Sequence, residues 1–449
     1  MKTPRPRLCF STLFGCALAS VAVVAQGQIF DSPDGAVAGI PANYTEAKVG
    51  QYMLPDLLTL AGGGRVSDAA AWTEKRRPEI FRLLEENQFG RCPEAPAKID
   101  FDVFEKGTPA LAGKAVRRQI TLYFTGDRNG PKADVLLYVP ADATGPVPVL
   151  LHASFLANNL TVEDPDVKVG ERWDPKEKKR VPATGGRRFA PLDVAAVIAR
   201  GFAVATVNYA DFEPDAPGAI AYGLRASYLK PGQDAPAPDE WGTIAAWGWG
   251  LSRVVDYFET DKSIDAKRVA ILGVSRLGKT VLWAGARDQR IALVIASCSG
   301  EGGAALSRRN YGETVAHLTD GTRYAYQFAG DYGHWAGRAA EAPFDAHMLV
   351  ALMAPRPLLL QTGNTDKWSD PYGEFLAAKA ATPVFHLFGE KGIEEYSMPP
   401  AKSAAMMNTL GYFMHDGGHG TVPADMEVFL NFMEAHLKTS PAKGSATAD

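Results

Sequence analysis

Cysteine is scarce: there are four in 449 residues, and two of them, Cys9 and Cys16, fall in the first apolar run. Cys92 and Cys298 remain, enough for one disulfide at most, and neither stands in a metal-like sequence cluster. A disulfide-stapled scaffold and a cysteine zinc site are therefore excluded. Excess positive charge is missing too, with 47 Lys and Arg against 51 Asp and Glu, so nucleic acid is not expected as a partner. Beyond residue 25 no apolar run reaches the ~20 residues that a membrane helix needs. No repeat period is visible, and the one low-complexity stretch is the tail 440–449, expected to fray.

What is present begins with a leader. Lys2, Arg5 and Arg7 precede an apolar stretch from Leu8 to Val24, the pattern of a secretory signal peptide over residues 1–25. Leu13-Phe14-Gly15-Cys16 has the look of a lipoprotein cleavage site, but the run continues past Cys16, which favours cleavage near Ala25. Removing that leader would take the formal net charge from −4 to about −7. The mature chain is expected outside the cytoplasm, periplasmic or secreted, with no membrane attachment.

A mixed segment, residues 26–95, carries a predicted helix over Ala70–Asn87. The runs 119–124 and 133–139 flank a Gly/Asn/Pro turn and predict a hairpin. Further on, 148–152, 202–208, 269–272, 291–297 and 357–362 are short continuous apolar runs separated by helix-length segments. Strands covered on both faces read this way, which predicts an α/β domain over residues 96–439 with a mostly parallel central sheet. Helices are expected at 243–258 and from Lys279 to Arg287.

Between those two helices stands ILGVSRLGKT, from Ile271 to Thr280, which two chemistries can claim. Gly273, Gly278, Lys279 and Thr280 fit the phosphate-loop spacing G-x-x-x-x-G-K-[ST]. Ser275, two residues after a glycine at a strand end, fits a nucleophile elbow. At least four strands precede the motif, the next strand ends Ser-Cys-Ser instead of Asp, and the loop interior Val-Ser-Arg-Leu is bulky. Each feature counts against phosphate binding, as does export from the ATP-containing cytoplasm. The nucleophile reading requires an acid and then a histidine downstream. Both are present: Asp366 lies in the polar loop after 357–362, and His419 sits on a glycine turn after the run from Leu410. A serine hydroxyl attacks only when an imidazole takes its proton and a carboxylate orients that imidazole.

Together, Gly273-Val-Ser-Arg-Leu-Gly-Lys279, the stretch Ser299–Arg309, Asp366-Lys-Trp368 and Asp416-Gly-Gly-His419 resemble the glucuronoyl esterases of carbohydrate esterase family 15, bacterial branch. The resemblance covers about Pro148 to Leu437 and implies an α/β-hydrolase fold. It implies cleavage of esters joining 4-O-methyl-glucuronic acid on glucuronoxylan to lignin alcohols, without a cofactor or metal. Position by position it implies Ser275 as nucleophile, His419 as base and Arg276 as oxyanion-stabilising side chain. Lys279, Glu313 and Trp368 would grip the sugar. Many members place the acid as a glutamate just before the Ser-Gly that follows the sixth strand, and here that position is Cys298. Other bacterial members take it from the next strand's loop, which points to Asp366, with Glu301 second and Asp370 third.

The blander readings differ in kind. Ser275 could cap a helix; His415 is expected packed near its strand and His152 structural; Trp247 and Trp249 are expected in the core or cleft wall. Arg308 and Arg309 are expected to pair with Glu301 or Glu313. Two long polar insertions, 158–191 and 211–241, follow strands and are expected to wall a groove for an extended polysaccharide, with Lys176–Arg180 otherwise a solvated charge run. A monomer is expected. A broader acyl or acetyl-xylan esterase, or a catalytically silent carbohydrate-binding protein on the same fold, are the rival functions.

Overall fold

The computed structural model describes residues 33–96, 99–185 and 192–438. The leader assigned to 1–25 and the tail 440–449 lie outside them. Nine strands form the central sheet: β1 (Asp100–Ala110), β2 (Ala115–Tyr123), β3 (Lys132–Pro140), β4 (Val147–Ser154), β5 (Ala203–Asn208), β6 (Ile264–Val274), β7 (Ile291–Ser297), β8 (Leu358–Gly363) and β9 (Leu410–His415). Their spatial order is β9-β8-β7-β6-β4-β5-β3-β2-β1. From β5 to β9 all neighbours are parallel, whereas β1, β2 and β3 add an antiparallel edge.

The continuous apolar runs follow from that topology. In β6, Ile271 belongs to the core on one face of the sheet and Leu272 to the core on the other. Both faces are covered, so neither parity of the strand needs polar residues. One cover consists of α1 (Thr243–Phe258), α2 (Arg276–Arg287) and α3 (Pro371–His386); the other includes α4 (Asp425–Leu437) and the short helix Val194–Ala199. The result is a three-layer α/β-hydrolase architecture. Its C-terminal strand ends face one way and carry the loops that bear the chemistry.

Several boundaries differ from expectation. β1 was not anticipated: along its length exposed and half-buried residues alternate, and Gly107 and Pro109 interrupt it, as a sheet edge permits. β6 begins five residues before the apolar run, at Ile264. The predicted helix 70–87 is observed as one continuous helical stretch, 69–89, with two π-helical segments. It docks through Phe81 and Phe89, which stack on Trp283 of α2 at 5.0 and 4.4 Å. Arg77 adds a hydrogen bond to the Ala286 carbonyl at 2.6 Å. Stacked pairs of this kind contribute about 0.5–1.5 kcal/mol each beyond area burial, so the N-terminal segment braces the helix that starts at Ser275.

Candidate active site

Ser275 links β6 to α2 at φ 60°, ψ −124°, a conformation that costs a non-glycine residue about 1–3 kcal/mol. The sequence makes room for that turn. A Cβ on Gly273 would lie 2.2 Å from the Leu277 carbonyl oxygen, and one on Gly278 2.8 Å from that of Ser297. Both positions therefore require glycine, although the second stands one residue later than in Gly-x-Ser-x-Gly. The Ser275 N–H donates to Ser297 O at 2.8 Å, which pins the elbow to β7. The N–H of Arg276 opens the helix, where first-turn donors have no intrahelical acceptor. Lys279, the would-be phosphate ligand, is buried, and its ammonium donates to Ser299 O at 2.7 Å.

At the same carboxyl ends, toward the edge of the parallel sheet, the loops after β8 and β9 interlock. Asn364 N donates to His415 O (3.1 Å), Thr365 N to Gly417 O (2.9 Å) and Gly417 N to Asn364 Oδ1 (2.9 Å). A Cβ on Gly363 would meet Gly418 O at 2.2 Å, so this close approach requires glycine. The interlock brings Asp366 Oδ2 to 2.7 Å from His419 Nδ1. Asp366 is 6% exposed and also caps the turn Lys367–Ser369, whereas the His419 side chain is 45% exposed. Burial raises the Asp366 carboxyl, but the hydrogen bond and charge of His419 outweigh it and hold the group below the ordinary carboxylate range. Gly420, next to His419, approaches Val274, next to Ser275: a Cβ on it would lie 4.0 Å from Val274 Cγ1.

Cys298 occupies the space between. At φ 44° and 1% exposed, it donates through Sγ to Gly420 O (3.5 Å) and accepts from Gly420 N (3.4 Å). Contrary to the sequence expectation, it does belong to a metal-like group: single donor atoms of Cys298, Asp366 and His419 lie within 4.8 Å of one another. Burial pushes its thiol pKa far up, however, and the other two are hydrogen-bonded to each other, so the trio is poorly suited to a cation. Cys92 and Cys298 are both free thiols.

The remaining expected residues fall into two groups. Lys279 Nζ lies 4.0 Å from Glu313 Oε2, and Glu313 N donates to Trp368 O at 2.9 Å, so these three lie together. Burial lowers the Lys279 ammonium. Arg323 joins them, donating to Glu313 Oε1 at 3.3 Å and lying 5.2 Å over the half-buried Trp368 ring. Arg276 forms an ion pair with Asp215 and lies 4.8 Å over Tyr324. Arg323, Asp215 and Tyr324 were missed because they belong to no motif.

Elsewhere, Glu301 accepts from Ser307 Oγ (2.6 Å) and Tyr332 Oη (3.2 Å), and burial raises its carboxyl to about 8. Asp370 caps α3 by accepting from Gly373 N at 2.9 Å. His415 meets Asp425 at 2.7 Å and Gly418 O at 3.1 Å. His152 lines a separate cavity of about 430 Å³ with Val274 and Phe429, and burial pulls its pKa down to about 4. Trp247 and Trp249 are core residues. Arg308 and Arg309 do not pair with Glu301 or Glu313 as expected: Arg308 meets Asp345 (3.1 Å), and Arg309 joins Glu46 (2.6 Å) to Asp370 (2.8 Å). The distant N-terminal segment thus supplies a partner that local sequence could not show.

Comparison with known proteins extends this geometry. Residues 236–389 match the sequence family described as glucuronyl esterase, fungi. The chain is 40% identical over 415 residues to the carbohydrate esterase MZ0003 of an unknown prokaryotic organism, covering 90% of this chain and 95% of that one. Among solved structures it is similar to a glucuronoyl esterase from Solibacter usitatus, with 43% identity, a TM-score of 0.83 and coverage of 87% and 99%. A CE15 esterase from a marine bacterial metagenome, described as promiscuous, superposes with a TM-score of 0.80 at 39% identity, covering 88% of this chain and 100% of that one.

Proposed function

Because the chain belongs to the glucuronoyl esterases of carbohydrate esterase family 15, a carboxylic ester hydrolase family, we propose that it hydrolyses esters of 4-O-methyl-glucuronic acid on glucuronoxylan with lignin alcohols. The reaction runs through an acyl-enzyme. Ser275 Oγ attacks the C6 carbonyl while His419 takes its proton; the tetrahedral oxyanion collapses, and His419 passes that proton to the departing alkoxide. Water then gives a proton to His419 and attacks the acyl carbon; the tetrahedral intermediate collapses, Ser275 Oγ leaves with that proton from His419, and the uronate is released. Asp366 orients the imidazole and stabilises its cation. Arg276 and the first-turn N–H groups of α2 face the developing negative charge. Lys279 and Glu313 bind sugar hydroxyls, and Trp368 offers a ring face to the pyranose.

The observation that carries this reading is the 2.7 Å Asp366–His419 hydrogen bond, held at the carboxyl end of the sheet that also carries the strained Ser275 elbow. Assay of wild type and Ser275→Ala on methyl glucuronate ester and on acetylated xylan tests it. Hydrolysis of the uronate ester that vanishes in Ser275→Ala supports it; activity confined to acetyl esters would replace it with the acetyl-xylan reading. The promiscuity described for the metagenome relative favours some breadth of ester accepted. The leader-like residues 1–25 support export, and N-terminal sequencing of the mature protein checks cleavage near Ala25.

A further inference from the structure

Asp215 lies in the insertion after β5, and the chemistry proposed above leaves it without a task. Four donors converge on its two oxygens. Oδ2 takes the Arg276 Nη1 ion pair and the Tyr209 hydroxyl at 2.9 Å; Oδ1 takes the Tyr326 hydroxyl at 2.6 Å and Gln327 Nε2 at 2.8 Å. The donors come from three separate places: the end of β5, the nucleophile elbow and the segment 324–327. The Asp215 side chain is 8% exposed, so the carboxylate at the centre of the knot is nearly dry. Tyr324 completes it, with the Arg276 guanidinium 4.8 Å above one ring that also carries Arg323 at 4.9 Å.

An arginine next to a nucleophile is useful only when its fork already points at the charge that will develop, since reorientation during reaction would consume the gain. A free guanidinium on a long stem has no such bias. Here one nitrogen is anchored by a carboxylate and the guanidinium sits over a ring, which restricts the remaining donors. Burial alone would weaken the guanidinium's hold on its proton, and Asp215 together with Tyr209 and Tyr324 more than offsets that.

We propose that Asp215 is a positioning residue for the oxyanion: it holds the Arg276 guanidinium beside Ser275, and the insertion that carries it therefore serves the chemical step. This rests on the reading of Arg276 as oxyanion donor. The test measures kcat and KM on methyl glucuronate ester for Asp215→Asn, Arg276→Ala and the double variant, with thermal melting of each. Arg276→Ala is expected to lower kcat by roughly 10²–10³-fold, as removal of one oxyanion donor does. Asp215→Asn is expected to lower kcat by about 10- to 100-fold, the effect of a misplaced catalytic group, with KM near wild type. The double variant should be no slower than Arg276→Ala alone, because a residue acting through Arg276 has nothing left to act on. The positioning role is overturned if the two losses multiply, or if Asp215→Asn moves KM or the melting temperature while kcat stays. An Arg276→Ala enzyme at full speed would remove the oxyanion reading itself, whereas a slow Arg276→Ala beside an unaffected Asp215→Asn would remove only the positioning role. If Asp215→Asn melts too low to assay, Tyr326→Phe, which deletes one donor to the same carboxylate, must show a smaller loss confined to kcat.

Discussion

Replacing Asp366 should slow hydrolysis far more than it destabilises the fold, and the structure indicates by how much. Its carboxylate lies 2.7 Å from His419 Nδ1, and in the proposed mechanism that hydrogen bond selects the tautomer whose Nε2 accepts the serine proton. In Asp366→Ala the remaining neighbour of Nδ1 is the Ser369 hydroxyl at 3.2 Å, neutral and able to donate, so it neither stabilises imidazolium nor selects that tautomer. Cys298 cannot substitute, because its buried thiol stays protonated and is engaged with Gly420. Loss of an orienting acid costs roughly 10³–10⁴-fold in kcat, or about 4–5.5 kcal/mol of transition-state stabilisation. Asp366→Asn is the sharper variant: it keeps the size, but its amide would favour the wrong tautomer. The assay is kcat/KM on methyl glucuronate ester at neutral pH, with Glu301→Ala, whose carboxylate faces Ser307 and Tyr332, as control. An Asp366→Asn enzyme that stays folded and within about tenfold of wild type would refute the assignment. The same carboxylate leaves a trace in stability. Its folded pKa lies below the ordinary 3.8, so its contribution is present above about pH 4 and is lost as pH falls through the folded value.

Three further outcomes follow from the same geometry. Arg309→Ala should cost about 3–5 kcal/mol in urea unfolding, since it strands the buried Asp370 without its cation, while kcat changes little. Glu374, wholly buried, accepts from Gly300 N at 2.6 Å, and burial raises its carboxyl to about 8, with Asp366 adding to the rise. The folded state then binds the extra proton, so stability is full below about pH 4.5 and falls as pH rises toward 8; Glu374→Gln should flatten the decline in melting temperature between pH 5 and 8, and an unchanged slope would count against it. Finally, Cys298 Sγ lies within 4.8 Å of the Asp366 and His419 donor atoms, so a glutamate there can reach the imidazole. Cys298→Glu should restore roughly tenfold or more to Asp366→Ala, and no gain in a folded double variant would show that only the β8 loop can present the acid.

The parallel strands were legible because burial on both faces leaves one signal, an unbroken apolar run, and β7 begins and ends where that run does. β1 was not legible for the converse reason. An edge strand with one solvated face and a free ladder tolerates Gly107, Pro109 and charge, and so resembles a loop. That Ser275, Asp366 and His419 would each follow a parallel strand could be read from chain order, since the fold fixes which strand ends carry such loops. Asp215, Tyr324 and Arg323 could not, because their positions depend on how separate loops fold against one another. The Arg309 pairing failed for the same cause: Glu46 reaches it from the far end of the chain.

The position of the proposed acid, Asp366, is a consequence of which loops are stapled to His419. Three hydrogen bonds and the close Gly363–Gly418 approach tie the loops after β8 and β9 to each other, and so tie the loop that carries Asp366 to the one that carries His419. Cys298 makes a different connection. Its sulfur grips Gly420 while its neighbour Ser297 accepts from Ser275 N, so one short segment at the end of β7 holds both the nucleophile elbow and the histidine turn. A carboxylate at that point would orient the imidazole from the β7 side; a thiol there cannot, but it can fix the distance between the two turns. Orientation and spacing are therefore divided between two strands, with β8 supplying the charge and β7 the mount. A buried, protonated thiol suits the second task, because it donates and accepts at the Gly420 backbone without placing a second negative charge beside Asp366.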